Sequence, residues 1–76
     1  MVFEKVKEII TQQLEVDPAK VTMEAKLNED LKADSVEVVG IIMNLEAEFN
    51  MEFPYEDLEK IKTVGDAVKY IEEHKK

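Results

Sequence analysis

Apolar residues at the start of the chain recur at the spacing of an amphipathic helix. Lys, Glu, Gln and Thr separate them, and the set consists of Val2, Phe3, Val6, Ile9, Ile10 and Leu14. Residues three and four apart share one face of a helix, so the pattern predicts a first helix with one buried stripe. Because Pro18 disfavours helical geometry in the residue before it, we expect this helix to end near Val16–Asp17.

Residues 17–34 show no sustained period and are predicted to form a long loop. Four apolar residues are spaced as anchors that would pin the loop to the core: Val21, Met23, Leu27 and Leu31. A stretch this long without regular structure is unusual in a compact domain, which indicates either a functional loop or a hidden helical turn.

A second helix is predicted from about Val36 to Phe49. Asp34 or Ser35 would cap it, because Asp34 and Glu37 have the spacing of a capping box. Asn50 is expected to end it.

The last third of the chain predicts two further helical segments. Pro54 leads into a short turn through Leu58 and Ile61, and Thr63 with Asp66 opens a final helix. The apolar face of that helix is Val64, Ala67, Val68 and Ile71. No segment alternates as a strand would. The pattern predicts an all-α fold, a small four-helix bundle of three main helices and one short helix with a long first loop, in which residues 1–76 form a single domain.

The second helix carries two separate apolar stripes when its residues are placed at about 100° intervals. The core-facing stripe comprises Val38, Ile41, Ile42, Leu45 and Phe49. A second stripe, roughly a third of a turn away, comprises Val36, Val39, Met43 and Ala47, with Glu46 at its border. Either the first helix or the long loop covers this second stripe, or it is a partner-facing strip in an acidic frame.

Composition excludes several classes of function. The chain has no cysteine, so a thiolate nucleophile is excluded. Its one histidine, His74, lies in a charged tail with no pairing signal, which argues strongly against a zinc site or a catalytic triad. The net charge of −8 arises from residues 34–59, which hold eight acids and no lysine or arginine. This stretch is either a solvated acidic face or a docking surface for basic partners, and it disfavours nucleic acid.

The chain shows no signal segment and no apolar run of the roughly 20 residues that span a membrane. We therefore expect no membrane insertion. Nothing in the sequence indicates an obligate oligomer, so a monomer is expected. It would be cytoplasmic, or located in an organelle stroma or matrix if the chain is a mature form.

Ser35 is open to two interpretations from the residues alone. Serine and aspartate are common N-caps, so Ser35 can serve the helix alone. As a hydroxyl to be modified it lacks a neighbouring base, so another enzyme would have to perform the reaction.

Several blocks of the chain, in order, resemble the acyl carrier proteins of type II fatty acid synthesis. They are VKEIITQQLEVDPAKVT, LNEDL, the Asp34–Ser35 motif, FPYEDLEKI and TVGDAVKYI, and together they cover nearly the whole chain. The resemblance implies a carrier without catalytic residues. A magnesium-dependent phosphopantetheinyl transferase would attach 4′-phosphopantetheine from coenzyme A to Ser35, and growing acyl chains would ride on its thiol as thioesters.

The resemblance also assigns two surfaces. Basic-surfaced fatty acid synthesis enzymes would dock on Asp34, Val36, Glu37, Val39, Met43 and Glu46. The acyl chain would withdraw between the helices, in a cavity formed by Val38, Ile42, Leu45, Phe53, Ile61, Ala67 and Ile71. These seven residues serve equally well as plain core.

Some residues depart from the family pattern. Val36 replaces the usual leucine, and Lys32 replaces a glycine, which adds strain if that position needs a positive φ. Gly40, Ala47 and Tyr55 stand where acids are common. The thinner acidic rim predicts weaker, less salt-sensitive docking to basic partners.

Alternative functions remain open. The chain could be a specialised carrier for polyketide, lipid A precursor, D-alanyl or peptidyl transfer, or an unmodified acidic helical adaptor in which Ser35 is only a cap. A calcium-sensor loop is excluded, because no stretch supplies its alternating oxygen ligands and central glycine. Loose binding of divalent cations by the acidic clusters is expected to stabilise the fold.

Overall fold

The computed structural model describes residues 2–74, which form four α-helices. The helices are α1 (Val2–Leu14), α2 (Ser35–Phe49), α3 (Tyr55–Leu58) and α4 (Val64–His74), with a 3-10 turn at Pro18–Lys20. Helix α1 packs against both α2 and α4. Within residues 2–74 the only β-type pairing is an isolated bridge between Lys26 and Thr63. The predicted all-α bundle is confirmed.

Local backbone geometry sets the helix ends. Glu15 adopts a left-handed φ of 55°, so α1 ends at Leu14, slightly before the predicted Val16–Asp17. Asn50 adopts the left-handed conformation at the end of α2, as the sequence predicted.

Asp34 is the N-cap of α2, so the helix begins at Ser35. The Thr63 hydroxyl and Asp66 carboxylate form the predicted reciprocal cap of α4.

The long loop is anchored largely as predicted, with one error. Val21, Leu27 and Leu31 are buried, but Met23 is 42% exposed. The prediction that the Met23 side chain is an anchor is wrong, because its backbone rather than its side chain is held. The hidden helical turn is Pro18–Lys20, capped by the Asp17 carboxylate.

Backbone hydrogen bonds tie this loop to the start of α4. The Val64 amide donates to the Ala25 carbonyl at 3.0 Å, and the Gly65 amide donates to the Met23 carbonyl at 2.8 Å. Leu27 donates in turn to the Lys62 carbonyl at 2.9 Å. The first amides of a helix lack partners within it, so the loop carbonyls satisfy donors that would otherwise be unpaired.

One hydrophobic core joins the helices and the loop. Its fully buried members include Val6, Ile10, Val21, Ile41, Leu45, Val64 and Ile71. They come from α1, the loop, α2 and α4, so the core is shared by every long element. Burial of these side chains is the main stabilising contribution in a chain of this size.

Tyr70 of α4 links the core to the acidic segment before α4. Its ring stacks on Phe53 with centroids 4.8 Å apart and on His74 with centroids 4.1 Å apart. Its hydroxyl donates to the Asp57 carboxylate at 2.8 Å. Burial raises the pKa of Tyr70 to about 12, and the hydrogen bond to Asp57 and the charges of Asp57 and Glu56 act in the same direction.

The two glycines predict opposite responses to the same substitution. A Cβ on Gly65 would lie 2.8 Å from the Met23 carbonyl oxygen, whereas one on Gly40 would lie 3.0 Å from the flexible amide of Gln13. We expect Gly65→Ala to lower the free energy of unfolding by about 1–3 kcal/mol, because loop backbone must move. Gly40→Ala is expected to leave stability unchanged or to raise it by up to about 1 kcal/mol, through helix propensity. Urea denaturation measures the free energy of unfolding of both variants. Equal changes in the two variants would contradict the prediction.

Alkaline pH should weaken the fold through Tyr70. Its folded-state pKa of about 12 exceeds the ordinary value of 10.0, so the protonated form is favoured in the folded protein. The resulting stability is fully present below pH 10 and is lost as pH rises from 10 towards 12. Denaturation between pH 9 and 11.5 should show a steeper decline for the wild type than for Tyr70→Phe. Parallel curves for the two proteins would rule out this contribution.

Candidate functional site

A reciprocal cap at the start of α2 leaves Ser35 uncommitted. The Asp34 carboxylate accepts from the Glu37 amide at 2.8 Å, and the Glu37 carboxylate accepts from the Asp34 amide at 3.1 Å. Ser35 is the first residue of the helix and is exposed. Within residues 2–74 its hydroxyl makes no hydrogen bond. Asp34 therefore performs the capping role, and the Ser35 hydroxyl is presented to solvent.

Two backbone amides beside this hydroxyl are also unpaired within residues 2–74. The Glu37 amide bonds to the Asp34 carboxylate and the Val38 amide to the Asp34 carbonyl, at 2.8 and 2.9 Å. Among the described residues, the amides of Ser35 and Val36 have no partner. Unpaired amides at a helix N-terminus favour negative charge. The site can therefore accommodate an anionic group on Ser35.

The loop holds Ser35 in place through the residues just before it. Leu31 and Ala33 are buried, and the Ala33 amide donates to the Leu27 carbonyl at 2.9 Å. Leu27 is itself bonded to Lys62, before α4. The burial of Ala33 was not predicted, because a single alanine carries little periodic signal.

Lys32 lies between these two anchors in the left-handed region, with a φ of 61°. The expectation that this position would strain a lysine is confirmed. Left-handed geometry costs a residue with a Cβ on the order of 1 kcal/mol relative to glycine.

The second apolar stripe of α2 is exposed at the surface. Val36 is 78% exposed, Val39 46% and Met43 62%. Ala47, at the far end of the stripe, lines an open groove between α1 and α2. The alternative that the first helix or the loop covers this stripe is therefore wrong for Val36, Val39 and Met43. Ile41, Ile42 and Leu45 of the core-facing stripe are buried, and Val38 and Phe49 are partly buried.

The acidic residues around the second apolar stripe of α2 also have structural roles. Asp34 and Glu37 cap α2, and the Glu46 carboxylate accepts from the Phe53 amide at 2.8 Å. This last contact joins residues seven apart across the end of a helix, which periodicity does not reveal. Within residues 2–74, no three His, Asp or Glu side chains converge as metal ligands.

The seven residues assigned to an acyl cavity lie together. Six of them are buried members of the hydrophobic core: Ile42, Leu45, Phe53, Ile61, Ala67 and Ile71. The seventh, Val38, is half-buried and packs against this core. Their packing is that of an ordinary core, as the sequence interpretation also allowed.

Comparison with known protein families gives a match over most of the chain. The family model described as a phosphopantetheine attachment site matches residues 4–71. The acyl carrier protein of Wolinella succinogenes is 51% identical over 74 residues, covering 97% of each chain. That of Helicobacter acinonychis is 55% identical, covering 96% of this chain and 94% of its own.

A solved structure shares the fold. The acyl carrier protein from Enterococcus faecalis superposes with a TM-score of 0.78 at 43% identity, covering 92% of this chain and 89% of that one. The arrangement of the four helices described above is thus also found in a known acyl carrier protein.

Proposed function

We propose, since this chain belongs to the acyl carrier protein family, that Ser35 is the residue that bears its prosthetic group. Members of this family are carriers rather than enzymes, and the chain carries acyl groups on 4′-phosphopantetheine. A phosphopantetheinyl transferase supplies the group. The observation that supports the assignment to Ser35 is its exposed hydroxyl, which the cap at Asp34 leaves unbonded.

The residues present fit the attached group. Ser35 is the only serine of the chain. In the transfer, its oxygen forms a bond to the phosphorus that bears the pantetheine of coenzyme A, and the bond from that phosphorus to the departing 3′,5′-ADP breaks. The hydroxyl proton passes to a base of the transferase. The unpaired amides of Ser35 and Val36 favour the resulting phosphodiester. When bound, the group supplies the thiol that the cysteine-free chain lacks.

Partner enzymes are proposed to dock on the strip formed by Val36, Val39 and Met43. Its exposed apolar area would supply affinity, while Asp34, Glu37 and Glu46 would attract basic faces of fatty acid synthesis enzymes. Gly40 and Ala47 reduce the acidic rim. We therefore expect weaker, less salt-sensitive docking than a carrier with a full acidic rim would show.

The acyl chain is proposed to withdraw among the core residues under the strip. Val38, Ile42 and Leu45 of α2 share one cluster with Phe53, Ile61 and the α4 residues Ala67 and Ile71. Movement of these side chains would be required, since they already pack together. We also propose that residues 1–76 act as one monomeric carrier domain, which the single core and the match over residues 4–71 support.

Fatty acid synthesis is the proposed context, because the relatives are named acyl carrier proteins. Their bacterial origin supports a cytoplasmic location. A specialised carrier for polyketide, lipid A precursor, D-alanyl or peptidyl transfer shares the attachment chemistry. The adaptor alternative, in which Ser35 is only a cap, is weakened because Asp34 makes the cap bonds.

Loading with the prosthetic group tests the attachment residue. We expect the apo protein, incubated with coenzyme A, Mg²⁺ and a promiscuous transferase, to gain one phosphopantetheine by intact mass. Ser35→Ala should gain none while keeping its thermal stability, because Asp34 retains the cap. A loss of about 0.5–2 kcal/mol in this variant would instead identify Ser35 as a cap. No mass gain by folded wild type with two different transferases would refute the assignment.

Docking on the strip is tested with two exposed methionines. Met43 lies in the strip, and Met23 lies in the loop beside Gly65. Burying a methionine side chain contributes about 1.5–3 kcal/mol, so Met43→Ser should lower kcat/KM of the transferase about tenfold or more. Met23→Ser serves as the matched control and should change it less than about threefold. Comparable losses in both variants would argue against the strip as the docking site.

A further inference from the structure

Lys32, the lysine nearest to Ser35 in the sequence, has no acidic partner among the residues that the structure describes. Lys32 is the only cation among residues 27–59. Within residues 2–74 its ammonium has no carboxylate within 4.0 Å, whereas Lys5, Lys26 and Lys60 pair with Glu48, Glu29 and Asp57. Its positive charge therefore lies three residues before the proposed attachment residue, without a carboxylate partner among residues 2–74.

The acids around Lys32 are already bonded to other groups. Glu29 pairs with the Lys26 ammonium at 3.3 Å, and Asp30 accepts from the Lys26 amide at 2.8 Å. Asp34 and Glu37 bond to each other's amides in the cap of α2. Every acid between residues 27 and 37 thus has a hydrogen-bonding role that does not involve Lys32.

The backbone at this position does not explain a lysine. A φ of 61° is adopted by glycine without steric cost and by lysine with strain. The lysine therefore contributes only its side chain, which is a compact charge on a flexible four-carbon stem. Attachment at Ser35 adds a negative charge three residues away, and three residues span at most about 10 Å of chain. The Cα atoms of Lys32 and Ser35 are therefore at most about 10 Å apart, a span that an extended lysine side chain and a phosphodiester on Ser35 can bridge together.

We propose that Lys32 is a positioning residue for the prosthetic group, which rests on the proposed attachment at Ser35. Its ammonium pairs with the phosphodiester and offsets the repulsion from the neighbouring Asp34 carboxylate. The pairing holds the phosphodiester end of the attached 4′-phosphopantetheine against the loop. In this carrier the loop before Ser35 thus binds the anionic end of the attached prosthetic group.

The test compares apo and holo forms of wild type, Lys32→Gln and Lys32→Arg. Gln and Arg both keep a Cβ, so the backbone strain is matched and only the charge differs. Thermal midpoints are measured at roughly 10 mM and 1 M NaCl, where the Debye lengths are about 30 and 3 Å. Intact mass reports loading for each sample.

At low salt, loading should lower the midpoint of Lys32→Gln by about 1–4 °C more than that of wild type, as an exposed ion pair predicts. Lys32→Arg should behave like wild type, and the difference should vanish at 1 M NaCl. A purely structural role would change apo and holo forms equally. Equal loading shifts in wild type and Lys32→Gln would therefore overturn this proposal alone, whereas a wild type that does not load would overturn it together with the attachment at Ser35.

Discussion

The hydrogen bonds between the long loop and the start of α4 are the constraint on which the site depends. Val64 and Gly65 donate to the loop carbonyls, and Leu27 donates to the Lys62 carbonyl. Leu27 in turn accepts from Ala33, the residue before the cap at Asp34. A loop that is long and mostly irregular is thereby given a defined path. The serine is positioned at the surface by a chain of backbone contacts that begins at a helix far along the sequence.

Helix α2 has one buried face and one exposed apolar face, and the proposed recognition surface lies on the exposed one. Ile41, Ile42 and Leu45 are buried in the shared core, while Val36, Val39 and Met43 remain exposed. Substitutions on the exposed face should cost little folding stability, because those side chains make few core contacts. The acidic side chains differ in this respect. Asp34, Glu37 and Glu46 bond to backbone amides, so their replacement would alter both the surface charge and the ends of the helix.

Local signals were sufficient to locate the helices and to select Ser35 as a candidate. Helical periodicity located three main helices to within a few residues, because each carries a stripe of apolar side chains that must be buried. The cap at Asp34 and the terminator at Asn50 were visible because capping depends on the residue itself and its near neighbours. The attachment motif was recognisable because it occurs together with the other family blocks in order.

The sequence by itself therefore determined the all-α class, the helix order, the candidate serine and the two stripes of α2, since these follow from residue type and spacing. Only the tertiary structure decided which stripe is covered, which loop residues are anchors, and that Lys32 has no acidic partner among residues 2–74. Met23 shows the reason: its apolar side chain predicted an anchor, but its carbonyl is what α4 binds. Contacts between residues distant in sequence are set by packing, and packing leaves no periodic trace in the chain.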